Sequence, residues 1–186
     1  MKLNLPNLLI FFRILLIPVF LYFILHTGPD ESLFRWIALI VFLVASFTDF
    51  LDGLLARRWN TVSSFGKLMD PLADKMLVSA ALVALAFRQE LAAWVVVIII
   101  CREFWVTALR QLALEQGKEV IAASLWGKIK TILQVVMLTA LMAGMGMEEI
   151  FPFSNTITTV LVYLAVLATV LSAVEYTRSY KDVFRA

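Results

Sequence analysis

Cysteine and histidine are almost missing from this chain. Its 186 residues hold one of each, Cys101 and His26. A single cysteine excludes an internal disulfide and any cysteine-based zinc site, so Cys101 is expected to be a small packing residue. A single histidine excludes a paired His-x-Lys site of the phospholipase-D type. His26 falls in a predicted outer loop, where it is expected to be solvated. No Ser-His or Cys-His pair is available for covalent catalysis, which favours a direct displacement. Charge is scarce too, at 16% of residues. There is no low-complexity run, internal repeat or linker. The N-terminus lacks the short apolar core and small-residue cleavage site of a removable signal peptide.

What is abundant is hydrocarbon. The chain is 62% hydrophobic with a mean hydropathy of +0.90, against roughly 45–50% apolar in soluble domains. The composition predicts an all-α integral membrane protein, a single membrane domain over residues 1–186. A short amphipathic lead-in, Met1–Asn7, precedes six apolar stretches. They are Leu8–Leu25, interrupted by Arg13 and Pro18; Trp36–Thr48, running on to Arg57; Phe65–Phe87; Leu91–Leu114; Leu125–Met147; and Thr156–Tyr176. A span needs about 20 apolar residues, so a six-transmembrane-helix bundle fits. Lys2, Arg57, Arg58, Lys67, Lys75, Arg102, Arg110, Lys118, Lys128, Lys130, Arg178, Lys181 and Arg185 then fall on one side. The other side holds only Arg35 and Arg88. The positive-inside rule places both termini in the cytoplasm. Trp36, Trp94 and Trp126 read as interfacial anchors. Met137, Met142, Met145 and Met147 read as core packing.

Against that background four aspartates stand out. Asp49, Asp52, Asp70 and Asp74 are spaced by three, eighteen and four residues. Asp49, Asp52, Gly53, Ala56 and Arg57 share one helical stripe; Gly66, Asp70, Ala73 and Asp74 share another. If the two helices are antiparallel neighbours, the carboxylates converge. Converging carboxylates must be protonated, paired or bound to cations. Only Arg57 and Lys75 flank them closely. A divalent cation, or a pair, answers the excess of negative charge, and all-oxygen ligation suits Mg²⁺ or Mn²⁺. Gly53, Ala56 and Gly66 leave room for a bulky group near the backbone. The bland alternative is four acids facing water at a membrane surface, but acids within membrane helices are functional by default. A rival from another class is an ion-conducting or Mg²⁺-handling protein. Against it, the acids sit at the cytoplasmic ends of two helices, and Arg57, Gly53 and Gly66 would have no role.

A second group is basic. Arg110, Lys128 and Lys130 lie on the same side as the acids and suggest a cationic pocket for a phosphate-bearing acceptor. The alternative is that they serve topology alone. Arg102 and Glu103 are expected to pair with each other or with a neighbouring helix, or to take part in the site. Asn7 and Arg13 can face the site. Lys118, Arg178, Lys181 and Arg185 read as lipid-surface contacts. Glu175 has no assignable partner, and nucleic acid is not expected among the ligands.

The pattern D-x2-D-G-x2-A-R-x8-G-x3-D-x3-D, complete from Asp49 to Asp74, resembles the signature of the CDP-alcohol phosphatidyltransferases. Further stretches extend the likeness over nearly the whole chain: Pro6-Asn7 through Arg13, Ala56 through Asn60, Asp70 through Lys75, Arg102-Glu103, Ala108 through Arg110, and Gly127 through Thr131. They are similar to the bacterial members that make phosphatidylglycerophosphate. Ile10 stands where those members commonly carry threonine. The resemblance implies a six-helix homodimer in the bacterial inner membrane, with a polar cavity open to the cytoplasm. It implies two Mg²⁺ (or Mn²⁺) ions bridged by Asp49 and Asp70, with Asp52 completing the first and Asp74 the second. Asp74 would also act as general base. Gly53 and Arg57, with Ser63, would hold the cytidine diphosphate of CDP-diacylglycerol. The acceptor implied is glycerol 3-phosphate; serine, inositol phosphate or phosphatidylglycerol are the alternatives within the family.

Overall fold

In the computed structural model the backbone is described for residues 5–59, 64–117, 125–144 and 154–181, and the side chains within them outside 5–10, 49–74 and 154–155. Among the described residues the regular structure is all helical. The helices are α1 (Leu5–Ile24), α2 (Glu31–Trp59), α3 (Ser64–Phe87), α4 (Ala93–Glu115), α5 (Leu125–Gly144) and α6 (Ser154–Ser179). They form two compact units, Met1–Glu90 and Leu91–Ala186.

In the first unit α1 packs on both α2 and α3, which also touch each other. The inner stripe of α1 is Arg13, Ile17, Phe20 and Ile24, all buried. Their spacing of four, three and four keeps one face of the helix inward. Ala38, Leu39, Phe42 and Ala45 are buried on α2; Leu77, Ala81, Leu82, Ala84 and Leu85 are buried on α3. Phe20 meets Phe42 with ring centroids 6.0 Å apart. The recurring alanines let helix backbones approach closely, as in packing within lipid. Arg13, expected to face inward, is wholly buried on this stripe.

The outward faces are apolar. Leu15, Tyr22, Phe47, Val83 and Phe87 are all exposed in this unit. Exposed hydrocarbon of this extent matches a lipid surrounding rather than water. Among the described residues, Glu31–Thr48, Leu125–Gly144 and Thr156–Ser179 are long and apolar enough to cross a membrane, and Phe11–Ile24 and Lys75–Phe87 are shorter apolar helical stretches. On α4 the charges of Arg102, Glu103 and Arg110 interrupt the hydrocarbon.

Several boundaries differ from the sequence expectation. The lead-in is not separate, since α1 already begins at Leu5; Pro6 is tolerated there because a first-turn N–H has no intrahelical acceptor. The polar stretch expected as a loop up to Arg35 is helical from Glu31. A carboxylate at a helix N-terminus suits the dipole, and Arg35, one turn on, pairs with Glu31 at 2.7 Å. The expected end of the fifth helix at Met147 lies outside the described residues. His26 is not simply solvated: its ring lies 4.0 Å from that of Phe34, centroid to centroid.

Helix α3 ends in a tight reversal. Gln89 has φ 62°, and the Glu90 N–H reaches back to the Leu85 carbonyl at 3.0 Å. This left-handed ending usually takes glycine. Here it presents Arg88 and Glu90 to the start of α2. Arg88 donates through Nε to Glu90 Oε1 at 2.8 Å and through Nη1 to the Ile24 carbonyl at 3.0 Å, and its Nη2 bonds Glu31. Arg35 reaches the same Glu90 oxygen at 2.9 Å. Two arginines and two glutamates thus tie the end of α1, the start of α2 and the end of α3 together. Burial opposes the Arg88 charge, but the hydrogen bonds it donates to Glu90 and Glu31 and their negative charges outweigh it, so its pKa lies above the ordinary arginine value.

In the second unit α6 packs on both α4 and α5. Its inner face is Ala165, Ala168, Thr169, Ser172 and Tyr176, all buried. The inner stripe of α4 is Val95, Ile99, Arg102, Val106, Leu109 and Ala113, a seven-residue repeat that suits helix-on-helix packing. Cys101 falls off this stripe and is exposed, so it is not the packing residue expected. On α5, Lys130, Gln134, Met137, Leu138 and Met142 are buried. Gln134 Nε2 donates to Thr169 Oγ1 at 3.2 Å, and that hydroxyl donates to the Ala165 carbonyl at 2.6 Å. Both polar groups are thereby satisfied within the apolar interior.

Candidate active site

The aspartate pattern lies on two touching helices of the first unit. Asp49, Asp52, Gly53, Ala56 and Arg57 occupy the C-terminal part of α2. Gly66, Asp70 and Asp74 occupy the N-terminal part of α3. Ser63 lies outside the described residues, as do the side chains from 49 to 74. Asn7 belongs to the first turn of α1, its side chain also outside the described set. Arg13, six residues on, is buried on the α1 face that packs against α2 and α3. Among the described side chains no cluster of three or more His, Cys, Asp or Glu gathers to hold a metal ion.

The second unit concentrates charge in its interior. Lys130 of α5 and Arg102 of α4 are 5% and 8% exposed. Burying an unpaired charge is costly, and Glu103 offsets part of that cost. Its Oε1 accepts from Arg102 Nη1 at 3.1 Å and also from Lys130 Nζ. Arg102 Nη2 bonds Ser172 Oγ on α6. Arg102 and Glu103 therefore pair both with each other and with neighbouring helices, the two options the sequence offered. Two turns along α4, Arg110 Nη2 donates to the Tyr176 hydroxyl at 2.7 Å. The Tyr176 ring is faced by two guanidinium groups, that of Arg110 at 5.1 Å and that of Arg102 at 5.5 Å. The Nε atoms of Arg102 and Arg110 are buried and make no hydrogen bond among the described residues.

The three cations expected to form an acceptor pocket are not equivalent. Lys128 is exposed, whereas Lys130 is buried against Glu103. Residues two apart on a helix face in nearly opposite directions, so the structure does not bring these two ammonium groups together. Ser172 and Tyr176 were not expected as partners of these cations. Ser172 and Tyr176 continue the Ala165–Ala168–Thr169 face at helical spacing, which is the signal that would have placed them inward. Glu175 is half-buried, with Oε2 unbonded among the described residues.

Two touching helices carrying this acid pattern point to a phosphotransfer protein of membrane lipids, and the sequence comparisons agree. The pattern of the CDP-alcohol phosphatidyltransferase family matches residues 3–171. The chain belongs to that family. It is 43% identical to the CDP-diacylglycerol–glycerol-3-phosphate 3-phosphatidyltransferase of Bacillus subtilis, over 93% of each chain. Proteins of the same name from Haemophilus influenzae and Rickettsia felis are 37% and 34% identical, over 95% and 97% of this chain and 92% and 97% of theirs.

Proposed function

We propose that this protein transfers the phosphatidyl group of CDP-diacylglycerol to glycerol 3-phosphate, giving phosphatidylglycerophosphate and CMP. The observation that carries this is the complete acid pattern on α2 and α3, in a chain alike over nearly its whole length to relatives named for that reaction.

Roles follow from residue chemistry. Asp49, Asp52, Asp70 and Asp74 supply only oxygen donors, which fits two Mg²⁺ or Mn²⁺ ions. The four carboxylates would hold the ions between them. Bound there, the ions supply charge neutralisation for the diphosphate and the departing CMP. Gly53 gives the nucleotide close access to the backbone. Arg57, one turn on, holds the diphosphate, with Ser63, Asn7 and Arg13 as further contacts to CDP-diacylglycerol. Asp74 takes the proton from the 1-hydroxyl of glycerol 3-phosphate. That oxygen bonds to the phosphorus bearing diacylglycerol while the bond to the CMP oxygen breaks. Arg110 and Lys130 provide for the acceptor's phosphate, while Lys128, expected with them, faces away on the exposed side of α5.

The same reading makes the chain a single membrane domain, since the family match runs through both compact units. It has six spanning helices, both termini and the acids in the cytoplasm, an inner-membrane location and a homodimeric state. The Lys and Arg asymmetry supports the orientation.

The test is an acceptor screen with purified protein and labelled CDP-diacylglycerol. Glycerol 3-phosphate is expected to release CMP and form one new lipid, while serine, inositol phosphate and phosphatidylglycerol form none. CMP release with one of those three and not with glycerol 3-phosphate would reassign the acceptor.

A further inference from the structure

The hydroxyl of Tyr176 is an unusual partner for Arg110. It is a neutral acceptor, so it fixes the guanidinium without cancelling its charge. Tyr176 is itself rigid. It is 2% exposed and stacks on Tyr180, with rings 6.3 Å apart and planes at 10°. Val106, Leu109 and Ala113 of α4 pack in the same cluster. Arg110 thus extends from a helix whose neighbouring turns are locked, and its end is held by a locked phenol. Its Nε is buried and makes no hydrogen bond among the described residues. A buried donor left in that state is costly unless an acceptor arrives. A phosphate oxygen is such an acceptor, and guanidinium is suited to it. Arg102 differs, because Glu103 and Ser172 already take two of its nitrogens.

We propose that Tyr176 is a positioning residue that aims Arg110 at the phosphate of the acceptor substrate. This rests on the reading of Arg110 as a phosphate-binding group. Tyr176 falls beyond residue 171, where the family match ends. The interaction is one hydroxyl, which makes a minimal substitution possible. Phenylalanine keeps the ring, its stacking and its face toward both arginines.

The experiment is two-substrate kinetics on wild type, Tyr176→Phe, Arg110→Gln and the double variant, in one detergent. Tyr176→Phe is expected to raise the KM for glycerol 3-phosphate about tenfold, the size of one hydrogen bond to a charged group. The KM for CDP-diacylglycerol should stay within twofold, which also reports an intact fold. In the Arg110→Gln background the same change should add less than twofold, because the residue it aims is gone. If Arg110→Gln raises the glycerol 3-phosphate KM and Tyr176→Phe does not, or if the two effects multiply, the positioning role is overturned. If Arg110→Gln leaves that KM unchanged, the phosphate-binding assignment itself has failed.

Discussion

Arg88 holds three helix ends of the first unit, so removing its charge should destabilise the fold without touching the chemistry. Consider Arg88→Met, which keeps the apolar stem. It deletes a hydrogen bond to the Ile24 carbonyl and two ion pairs, to Glu90 and Glu31. The carbonyl bond contributes about 1 kcal/mol. Breaking a buried pair outright costs roughly 3–5 kcal/mol, and an exposed pair under about 1. Glu90 and Glu31 side chains are 18% and 35% exposed, and Arg35 still bonds both, at 2.9 and 2.7 Å. The ion-pair loss is therefore near 1–2 kcal/mol, and the total ~2–3. For a chain of this length that lowers Tm by roughly 5–10 °C. Arg35→Met with Arg88→Met removes both arginines from the two carboxylates and should cost at least about 1 kcal/mol more than the sum of the single changes. The assay is thermal unfolding in detergent, followed by tryptophan fluorescence. Arg35 lies fourteen residues, about 20 Å of helix, from Asp49, so CMP release per folded molecule at low temperature should match wild type. A Tm drop below 2 °C, or strict additivity in the double variant, would refute the network as a structural tie.

Chelation with EDTA should abolish CMP release, Mg²⁺ or Mn²⁺ should restore it, and Ca²⁺ should restore it poorly because it favours larger, looser coordination; full activity in a metal-free preparation would remove the metal from the account. Lys130→Gln should raise the glycerol 3-phosphate KM at least tenfold, whereas Lys128→Gln should raise it less than threefold, because only Lys130 is buried beside Glu103; equal effects in the same kinetic assay would contradict that division.

Helices were legible from hydrocarbon length alone, because each stretch long enough to matter is bounded by polar residues. Their ends were less so. Glu31 and Arg35 look like loop residues by polarity, yet they pair one turn apart on α2 and with Arg88 and Glu90 at the end of α3. The acid pattern was legible as a spacing along what the structure shows to be α2 and α3, while its side chains lie outside the described residues. The basic residues were legible as a set but not in their arrangement. Lys128 and Lys130 are near neighbours in sequence and part company on the helix. Tyr176 was hidden because a tyrosine in an apolar helix carries no local signal of its partner, which comes from another helix.

The central claim is that the acids of α2 and α3 carry the transfer, and Asp70→Asn tests it most directly. Asparagine keeps the shape of the side chain and deletes a charge proposed to hold the two cations. CMP released from CDP-diacylglycerol with glycerol 3-phosphate should fall on the order of 10³-fold or more at saturating Mg²⁺, while Tm and elution in detergent stay at the wild-type values. A pure, folded Asp70→Asn protein that retains a tenth of wild-type turnover would contradict the account.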